Sequence, residues 1–185
     1  DSVVITDRQG TIEYVNPGFE KTTGYSRDEA LGQTPRLVKS GKQGAGFYKK
    51  LWDTILAGDV FSEVFVNRRK DGSLYTEEET ITPLKNANGT ISHFIGIKQD
   101  VTERKRSEIL MQKRFELMEY SAHNKLDGLM RKTIDEINDL TGSKVSFFHF
   151  IEDDQNTLGM QAWSKDALGL FNMSSGEETH HFPVD

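Results

Sequence analysis

Cysteine is absent from all 185 residues of the chain. This absence excludes disulfide bonds, thiolate-bound metals, thioether-linked haem or bilin, and photochemistry that joins a cysteine to a flavin. Long apolar runs are also missing, because no segment approaches the roughly 18 residues of a membrane-spanning helix, and no signal-peptide pattern opens the chain. The chain begins at Asp1 rather than at Met, so we expect a piece of a longer protein. We also expect this piece to be cytoplasmic and to make no membrane contact.

Several motifs that carry chemistry are missing as well. There is no phosphate-binding G-x-x-x-x-G-K-[ST], no G-x-S-x-G nucleophile turn and no H-E-x-x-H zinc motif. His180 and His181 are adjacent, so an extended strand would point them to opposite faces and they could not share a metal ion. The formal net charge of -6 argues against nucleic acid as a partner. The sequence therefore predicts no enzyme activity, no metal site and no nucleic-acid binding.

Alternating apolar and polar residues predict five strands in the first part of the chain. Between the second and third strands, Asn16 before Pro17 predicts the start of a short helix, and Ser26 with Glu29 forms the capping-box pattern of another. A longer amphipathic helix is predicted over residues 47–56. These elements indicate an α+β domain with one antiparallel sheet and its helices gathered on one face. The predicted strands are 3–7, 11–16, 60–68, 73–83 and 91–100.

The acidic run Glu77, Glu78 and Glu79 falls on the fourth predicted strand. Side chains alternate between the two faces of a strand, so Glu78 is expected on one face and Glu77 and Glu79 on the other. The simplest interpretation is a strand in contact with water. Paired catalytic carboxylates would need a pocket around them, and the pattern predicts none there.

A charged, helix-favouring segment runs from Thr102 to about residue 122. Its positions 108, 111, 115, 118 and 122 are spaced 3-4-3-4. This spacing fits the seam of a two-stranded coiled coil, and it also fits one face of a single helix packed on its own sheet.

A second unit follows the charged helix. The pattern predicts a helix over 126–142 and strands over 144–151 and 157–163, joined by a polar turn at 152–156. The remaining residues, 164–185, are polar. About sixty residues with two strands are too few for a sizeable core of their own, so this unit is expected to be incomplete.

Residues 1–108 resemble the PAS sensor family. The matching motifs are ITDRQGTIEYVNPGFEKTTGYSRDEALGQ, the SGKQ segment with its FYKKLWDTI helix, NRRKDGSLYTEE, and TPLKNANGTISHFIGIKQDVTERK. Residues 117–185 resemble the first part of a GAF domain, through FFHFIEDDQNTLGMQAW and HHFPVD. The resemblances imply a PAS domain over 1–101, a signalling helix over 102–122 and a truncated GAF domain over 123–185.

The resemblance also bears on a cofactor. Within the family, the pattern is nearest to the flavin-binding redox sensor that controls nitrogen fixation, and this implies that Trp52 and Asn67 lie against FAD. An indole can pack on the flavin ring, and an amide can donate to and accept from its polar edge. The chain departs from that sensor at Pro35, where the sensor has a glutamate. Alternatively, Trp52 is a core aromatic residue and Asn67 bonds to neighbouring backbone, with no cofactor. Haem is disfavoured, because the 47–56 helix has no histidine.

The segment Asp100-Val101-Thr102 stands where the last strand of the sheet passes into the charged helix. The resemblance implies that this corner ties the outgoing helix to the sheet. Thr102 is predicted to be the N-cap of the helix, and Arg104 is the nearest basic partner for Asp100. If a ligand changed the sheet, the corner would move the helix.

Together these features predict the sensory input module of a bacterial signal-transduction protein, with a histidine kinase or a cyclic-dinucleotide enzyme such as a diguanylate cyclase as output. The module would sense a small ligand or redox state in its PAS pocket, and would form a homodimer through the PAS domain and the linker helix. The alternative is a ligand-free PAS module that serves dimerisation or protein interaction.

Overall fold

The computed structural model describes residues 1–151, 157–170 and 181–183. The first part of the chain forms a five-stranded antiparallel sheet with the strand order β2-β1-β5-β4-β3. This arrangement confirms the predicted sheet, and each strand lies within a few residues of its predicted place. The strands are β1 (Ser2–Asp7), β2 (Ile12–Val15), β3 (Phe61–Arg68), β4 (Leu74–Lys85) and β5 (Ile91–Asp100).

Four helical elements lie between β2 and β3, and the first two begin where the sequence places their caps. The four are α1 (Pro17–Thr23), α2 (Arg27–Ala30), a 3₁₀ turn (Pro35–Val38) and α3 (Ala45–Ala57). The longest begins two residues before its predicted start at residue 47. The Asn16 side chain accepts a hydrogen bond from the Phe19 N–H at 3.0 Å and another from the Val3 N–H at 2.8 Å. One amide therefore caps α1 and ties it to β1. The reciprocal capping box of Ser26 and Glu29 starts α2, as predicted.

Two apolar clusters form the core on the helix side of the sheet. In one cluster, α3 packs on strands β3, β4 and β5; in the other, α1 and α2 pack on β1 and β2. The buried residues of the first cluster are Leu51, Ile55, Phe61, Phe65, Ile81 and Phe94. Those of the second are Val4, Ile12, Val15, Phe19 and Ala30.

The chain divides into two compact units, residues 1–106 and 107–185. The helix α4 (Thr102–His123) begins in the first unit and continues in the second. Within the described residues, no helix is both long enough and apolar enough to span a membrane.

The second unit contains a small three-stranded sheet. Its described elements are α5 (Leu126–Thr141), β6 (Phe147–Ile151), β7 (Thr157–Trp163), α6 (Lys165–Leu170) and β8 (His181–Pro183). The pattern of the sequence missed α6 and β8, because residues 164–185 carry few apolar positions. The predicted turn at 152–156 and His180 lie outside the described residues. The likeness to a GAF domain and the three domain boundaries stay predictions.

Candidate functional site

A cavity of about 570 Å³ lies between the sheet and its helices in the first unit. Its volume falls within the range of roughly 300–1,000 Å³ that small-molecule sites occupy. Apolar residues of both core clusters form much of its wall, including Val4, Leu51, Ile55, Phe65, Ile81 and Phe94.

Trp52 and Asn67, the two predicted ligand contacts, both line this cavity. The Trp52 ring stands edge-on to Phe94, with 6.1 Å between the ring centroids. Gly10, at φ +87°, leaves room for the indole, since a Cβ atom there would lie 3.1 Å from the Trp52 ring. Trp52 is only half-buried, which leaves part of its surface free for a ligand.

Asn67 bonds to another side chain rather than to neighbouring backbone. Its side chain is buried, and its amide nitrogen donates to Glu77 Oε1 at 2.8 Å. The alternative interpretation of Asn67 was therefore wrong about its partner. The contact instead makes Asn67 the edge of a larger polar group.

That polar group is an ion triad of Glu77, Glu79 and Lys98. Lys98 Nζ lies 3.0 Å from Glu77 Oε1 and 3.2 Å from Glu79 Oε2. The exposed fraction of the three residues is 0%, 6% and 4%, respectively. The prediction that the acidic run lies in water was wrong for Glu77 and Glu79, although they do face away from Glu78. Glu79 and Lys98 line the cavity and form its floor, whereas Glu77 contacts Lys98 without lining the cavity.

The sequence contained a signal for this triad. Glu77 and Glu79 are in phase with the buried residues Tyr75 and Ile81 on β4, and Lys98 is in phase with Phe94 on β5. Large apolar residues at both ends of an alternating run mark the inward face of a strand. Glu77 and Glu79 point inward because they alternate in register with Tyr75 and Ile81, and their charge does not change this orientation.

Burial shifts the protonation of the triad. Burial raises the pKa of Glu79, and the neighbouring charge of Glu77 raises it further, against the opposing effect of Lys98. Burial alone would lower the pKa of Lys98, but the charges of Glu79 and Glu77 outweigh it and raise the pKa. The ammonium form of Lys98 is thus held firmly, whereas Glu79 is biased toward its neutral acid form.

Other basic residues line the same cavity. Arg36, Lys39 and Lys49 contribute to the lining, in addition to Lys98, whose charge is already balanced by Glu77 and Glu79. Lys39 Nζ lies 4.4 Å from the centre of the Tyr48 ring, and Lys49 pairs with Asp53 at 2.5 Å. A cationic lining on an acidic chain of net charge -6 favours an anionic ligand.

The segment Asp100-Val101-Thr102, at which α4 begins, is hydrogen-bonded to β4. Thr102 Oγ1 accepts a hydrogen bond from the Thr76 N–H at 2.9 Å, and the Val101 N–H donates to the Thr76 carbonyl at 2.8 Å. Asp100 Oδ1 accepts from both the N–H and the hydroxyl of Thr102. Thr102 is the first helical residue and bonds to the strand, so the prediction that it is the N-cap was wrong.

The partners of Asp100 and Arg104 also differ from the prediction. Asp100 Oδ2 pairs with Arg69 at 2.6 Å, and Arg104 pairs with Glu78 at 2.5 Å. Arg69 lies over the Tyr75 ring at 4.4 Å. The predicted pairing of Asp100 with Arg104 was therefore wrong. Burial tends to raise the pKa of Asp100, but the Thr102 and Arg69 hydrogen bonds lower it below its usual value.

Two consecutive residues of β4 connect the cavity floor to this corner. The Thr76 backbone holds Val101 and Thr102, while the next side chain, Glu77, belongs to the ion triad. Glu77 is therefore the next residue in sequence after the one that anchors α4.

This part of the chain is an α+β domain that has a cavity beneath its helices and an outgoing helix hydrogen-bonded to its sheet. A model of the PAS domain family matches residues 1–103. The chain belongs to the PAS domain family.

Similar proteins carry this domain within signalling proteins. The nitrogen fixation regulatory protein of Klebsiella oxytoca is 32% identical over 66% of this chain. The chain spans only 25% of that protein's length. The LOV domain of a blue-light activated histidine kinase from Erythrobacter litoralis is 29% identical, with a TM-score of 0.51 over 55% of this chain and 95% of that one.

A further solved structure concerns a flavin analogue in a light-oxygen-voltage domain. It is 26% identical to this chain, with a TM-score of 0.53 over 62% of this chain and 87% of that one. The likeness extends over the five-stranded sheet and its helices.

Removing the buried Lys98 cation is predicted to destabilise the domain far more than removing an exposed lysine. Lys98→Met leaves two buried carboxyl groups without their counter-ion, and we expect a loss of about 3–5 kcal/mol in the free energy of unfolding, measured by urea denaturation at neutral pH. Lys50→Met, which removes the exposed pair with Glu63, should cost no more than about 1 kcal/mol.

Adding Glu77→Gln and Glu79→Gln to Lys98→Met removes the stranded charges and should recover much of the lost stability. If Lys98→Met is as mild as Lys50→Met, the triad does not exist as a buried ionic unit.

Proposed function

We propose that the PAS domain of this chain is a sensory input module that binds a small ligand in its cavity and relays the binding state to α4. The observation that supports the proposal is that Thr76, which anchors α4, is followed by Glu77, which pairs with Lys98 of the cavity lining. A ligand that draws on Lys98 or Glu79 changes the partners of Glu77. The equilibrium between two positions of α4 then shifts.

A flavin is the cofactor that the cavity suits best. The half-exposed Trp52 indole and the apolar wall suit a planar ring, and Asn67 and Lys98 lie where its polar edge would meet the floor. Arg36 and Lys39 would hold the phosphate of a flavin nucleotide. When bound, a flavin supplies visible absorption and reversible reduction.

Two features separate this site from those of other flavin sensors. The chain has no cysteine to form a covalent adduct with the ring. Pro35, which stands in place of a glutamate, lines the cavity and offers no proton. Glu79 is the acid that faces this cavity. The similar proteins include a nitrogen fixation regulatory protein and a histidine kinase, and this supports a signalling parent with a kinase or a cyclic-dinucleotide enzyme as output.

The second candidate function is a ligand-free dimerisation module. Exposed apolar residues on α4 favour it: Met111, Phe115 and Met118 are 73%, 61% and 69% exposed. They follow the 3-4 spacing of a coiled-coil seam. Pairing two copies of this helix would bury these side chains.

The flavin assignment predicts a coloured protein. Freshly purified residues 1–185 should show the two visible and near-ultraviolet bands of an oxidised flavin, and a reductant should bleach them. Trp52→Ala and Asn67→Leu should lower the flavin content, whereas Trp163→Phe in the second unit should not. A colourless sample, with no flavin taken up from added FAD or FMN, would favour the dimerisation module.

The relay predicts a specific effect of Thr102→Val. The variant leaves the Thr76 N–H without its acceptor, and we expect a cost of about 1–3 kcal/mol with the fold retained. Hydrogen exchange should accelerate at Thr76 and in the first turn of α4 while the core strands stay protected. In the full-length protein, the output should no longer follow the signal.

Thr102→Ser keeps the hydroxyl and serves as the control for this variant. Signalling by Thr102→Val equal to that of Thr102→Ser would contradict the relay.

Dimerisation through α4 predicts that charge on its apolar stripe separates the subunits. Met111→Glu with Met118→Glu should shift the sedimentation of residues 1–185 from dimer to monomer, because two like charges would face each other at the seam. Glu103→Gln, on the exposed first turn, provides a control that should leave the dimer intact. A wild-type chain that is monomeric at high concentration would rule out this interface.

A further inference from the structure

We infer that Glu79 and Lys98 form a pair of hydrogen-bond donors at the cavity floor, which selects ligands whose buried end carries carbonyl or carboxylate oxygens. Binding of such a ligand is linked to the proton on Glu79. The inference rests on the proposed function only in that the cavity takes a small ligand.

The backbone of the neighbouring strand β5 leaves space for the Glu79 carboxyl group at Gly96, the residue opposite Ile81. A Cβ atom on Gly96 would lie 3.0 Å from Glu79 Oε1 and 3.8 Å from Lys98 Cε. Gly96 lies in the interior of β5 and its φ is not positive, so the glycine provides space rather than a turn. Gly96 also lines the cavity. The absent side chain thus opens the floor to the carboxyl group and to a ligand.

The two glutamates of the triad are not equivalent. Glu77 Oε1 accepts hydrogen bonds from both Lys98 and Asn67, whereas its buried Oε2 has no hydrogen-bond partner among the described residues. Of the two glutamates, only Glu79 lines the cavity. Glu79 shares only Lys98, through Oε2, and its Oε1 has no hydrogen-bond partner among the described residues. Two carboxylates and one ammonium would leave a net negative charge in a buried place. A proton on Glu79 removes that charge.

The surroundings of Glu79 support the neutral acid. Burial raises its pKa, and Glu77 on the same strand adds to the rise, although Lys98 on β5 opposes it. From α3, Tyr48 lines the same cavity, and burial raises the pKa of Tyr48, so its hydroxyl adds no charge beside Glu79. The other polar or charged residues that line the cavity are Thr6, Gln9, Thr34, Arg36, Lys39, Lys49 and Asn67.

These groups determine what the floor can bind. An ammonium group has three N–H donors, and Glu77 and Glu79 occupy two of those of Lys98. The third, together with the O–H of a protonated Glu79, gives two donors directed at acceptors. A flavin meets this requirement with the carbonyl oxygens of its polar edge, and so does an aromatic carboxylate. Loss of the Glu79 proton replaces a donor by a negative charge and repels the same ligand.

The protonation of Glu79 can be tested without any ligand. Infrared spectra of residues 1–185 at pH 7 should contain the carbonyl band of a buried carboxylic acid, which Glu79→Gln removes. Glu78→Gln, on the exposed face of the same strand, should leave the band in place. Absence of an acid band from the wild-type protein at pH 7 overturns the inference.

The pH dependence of the free energy of unfolding provides a second test of whether Glu79 is protonated. A carboxyl whose folded-state pKa lies above the usual 4.5 stabilises the fold fully below that value and loses its contribution as the pH rises through the folded-state pKa. The wild-type protein should therefore lose stability relative to Glu79→Gln, whose amide mimics the acid, as the pH rises above 4.5 and through the raised folded-state pKa of Glu79. Parallel pH profiles of the two proteins would overturn the inference.

The ligand class can be tested with 2-naphthoate and its cationic counterpart, 2-(aminomethyl)naphthalene. Calorimetry should detect binding of 2-naphthoate alone, and its affinity should fall toward a limit of about tenfold per pH unit above the pKa of Glu79. Glu79→Gln should remove this pH dependence. Tighter binding of the cationic probe, or a pH dependence that persists in Glu79→Gln, overturns the inference.

The two proposals fail separately. A protein without visible absorption would contradict the flavin assignment. The Glu79 inference would still predict the infrared acid band and the preference for 2-naphthoate. A bound flavin in a protein without the acid band upholds the flavin assignment and overturns the role of Glu79.

Discussion

The bridge that Lys98 makes between Glu77 and Glu79 is the constraint on which the rest of the domain depends. In the ladder between β4 and β5, Glu79 is directly opposite Lys98, and Glu77 is opposite Asp100. A shift of one residue would turn each of these side chains to the other face of the sheet. Because the triad is stable inside the domain only when Lys98 reaches both carboxyl groups, it helps to fix this register.

The same register sets the geometry of the outgoing helix. With Glu77 opposite Asp100, the chain leaves β5 beside Thr76, and the Val101 and Thr102 groups meet the Thr76 backbone. The charged floor and the helix anchor are therefore consequences of one strand pairing. A change in the pairing of Glu77 need not travel through a long chain of contacts to reach α4, because the affected residues are neighbours in sequence. This short path is a physical basis for two coupled states.

The local features of the fold could be predicted from the sequence, and its long-range contacts could not. The Asn16 cap and the capping box of Ser26 and Glu29 depend on residues close in sequence, so their patterns were sufficient. The pair of Arg69 with Asp100 joins residues far apart in the chain, and sequence proximity wrongly favoured Arg104. The placement of Trp52 and Asn67 on one cavity followed from the resemblance. The burial of Glu77 and Glu79 was not predicted, because three consecutive acidic residues suggested a strand in water. Their alternation with the buried residues Tyr75 and Ile81 was overlooked.

Burying the charges of Glu77, Glu79 and Lys98 has a desolvation cost, which is informative about the role of the triad. A buried ion pair is a weak source of stability, since well-packed apolar side chains of similar volume often serve a fold as well or better. Glu79, Lys98 and Asn67 stand on the cavity wall, where apolar replacements would close the floor to any polar ligand. The cationic residues Arg36 and Lys39 on the same lining add attraction for anions, which a purely structural triad does not need. Charge placed on the wall of an apolar cavity, at a cost in desolvation, suits recognition of a ligand better than stabilisation of the sheet.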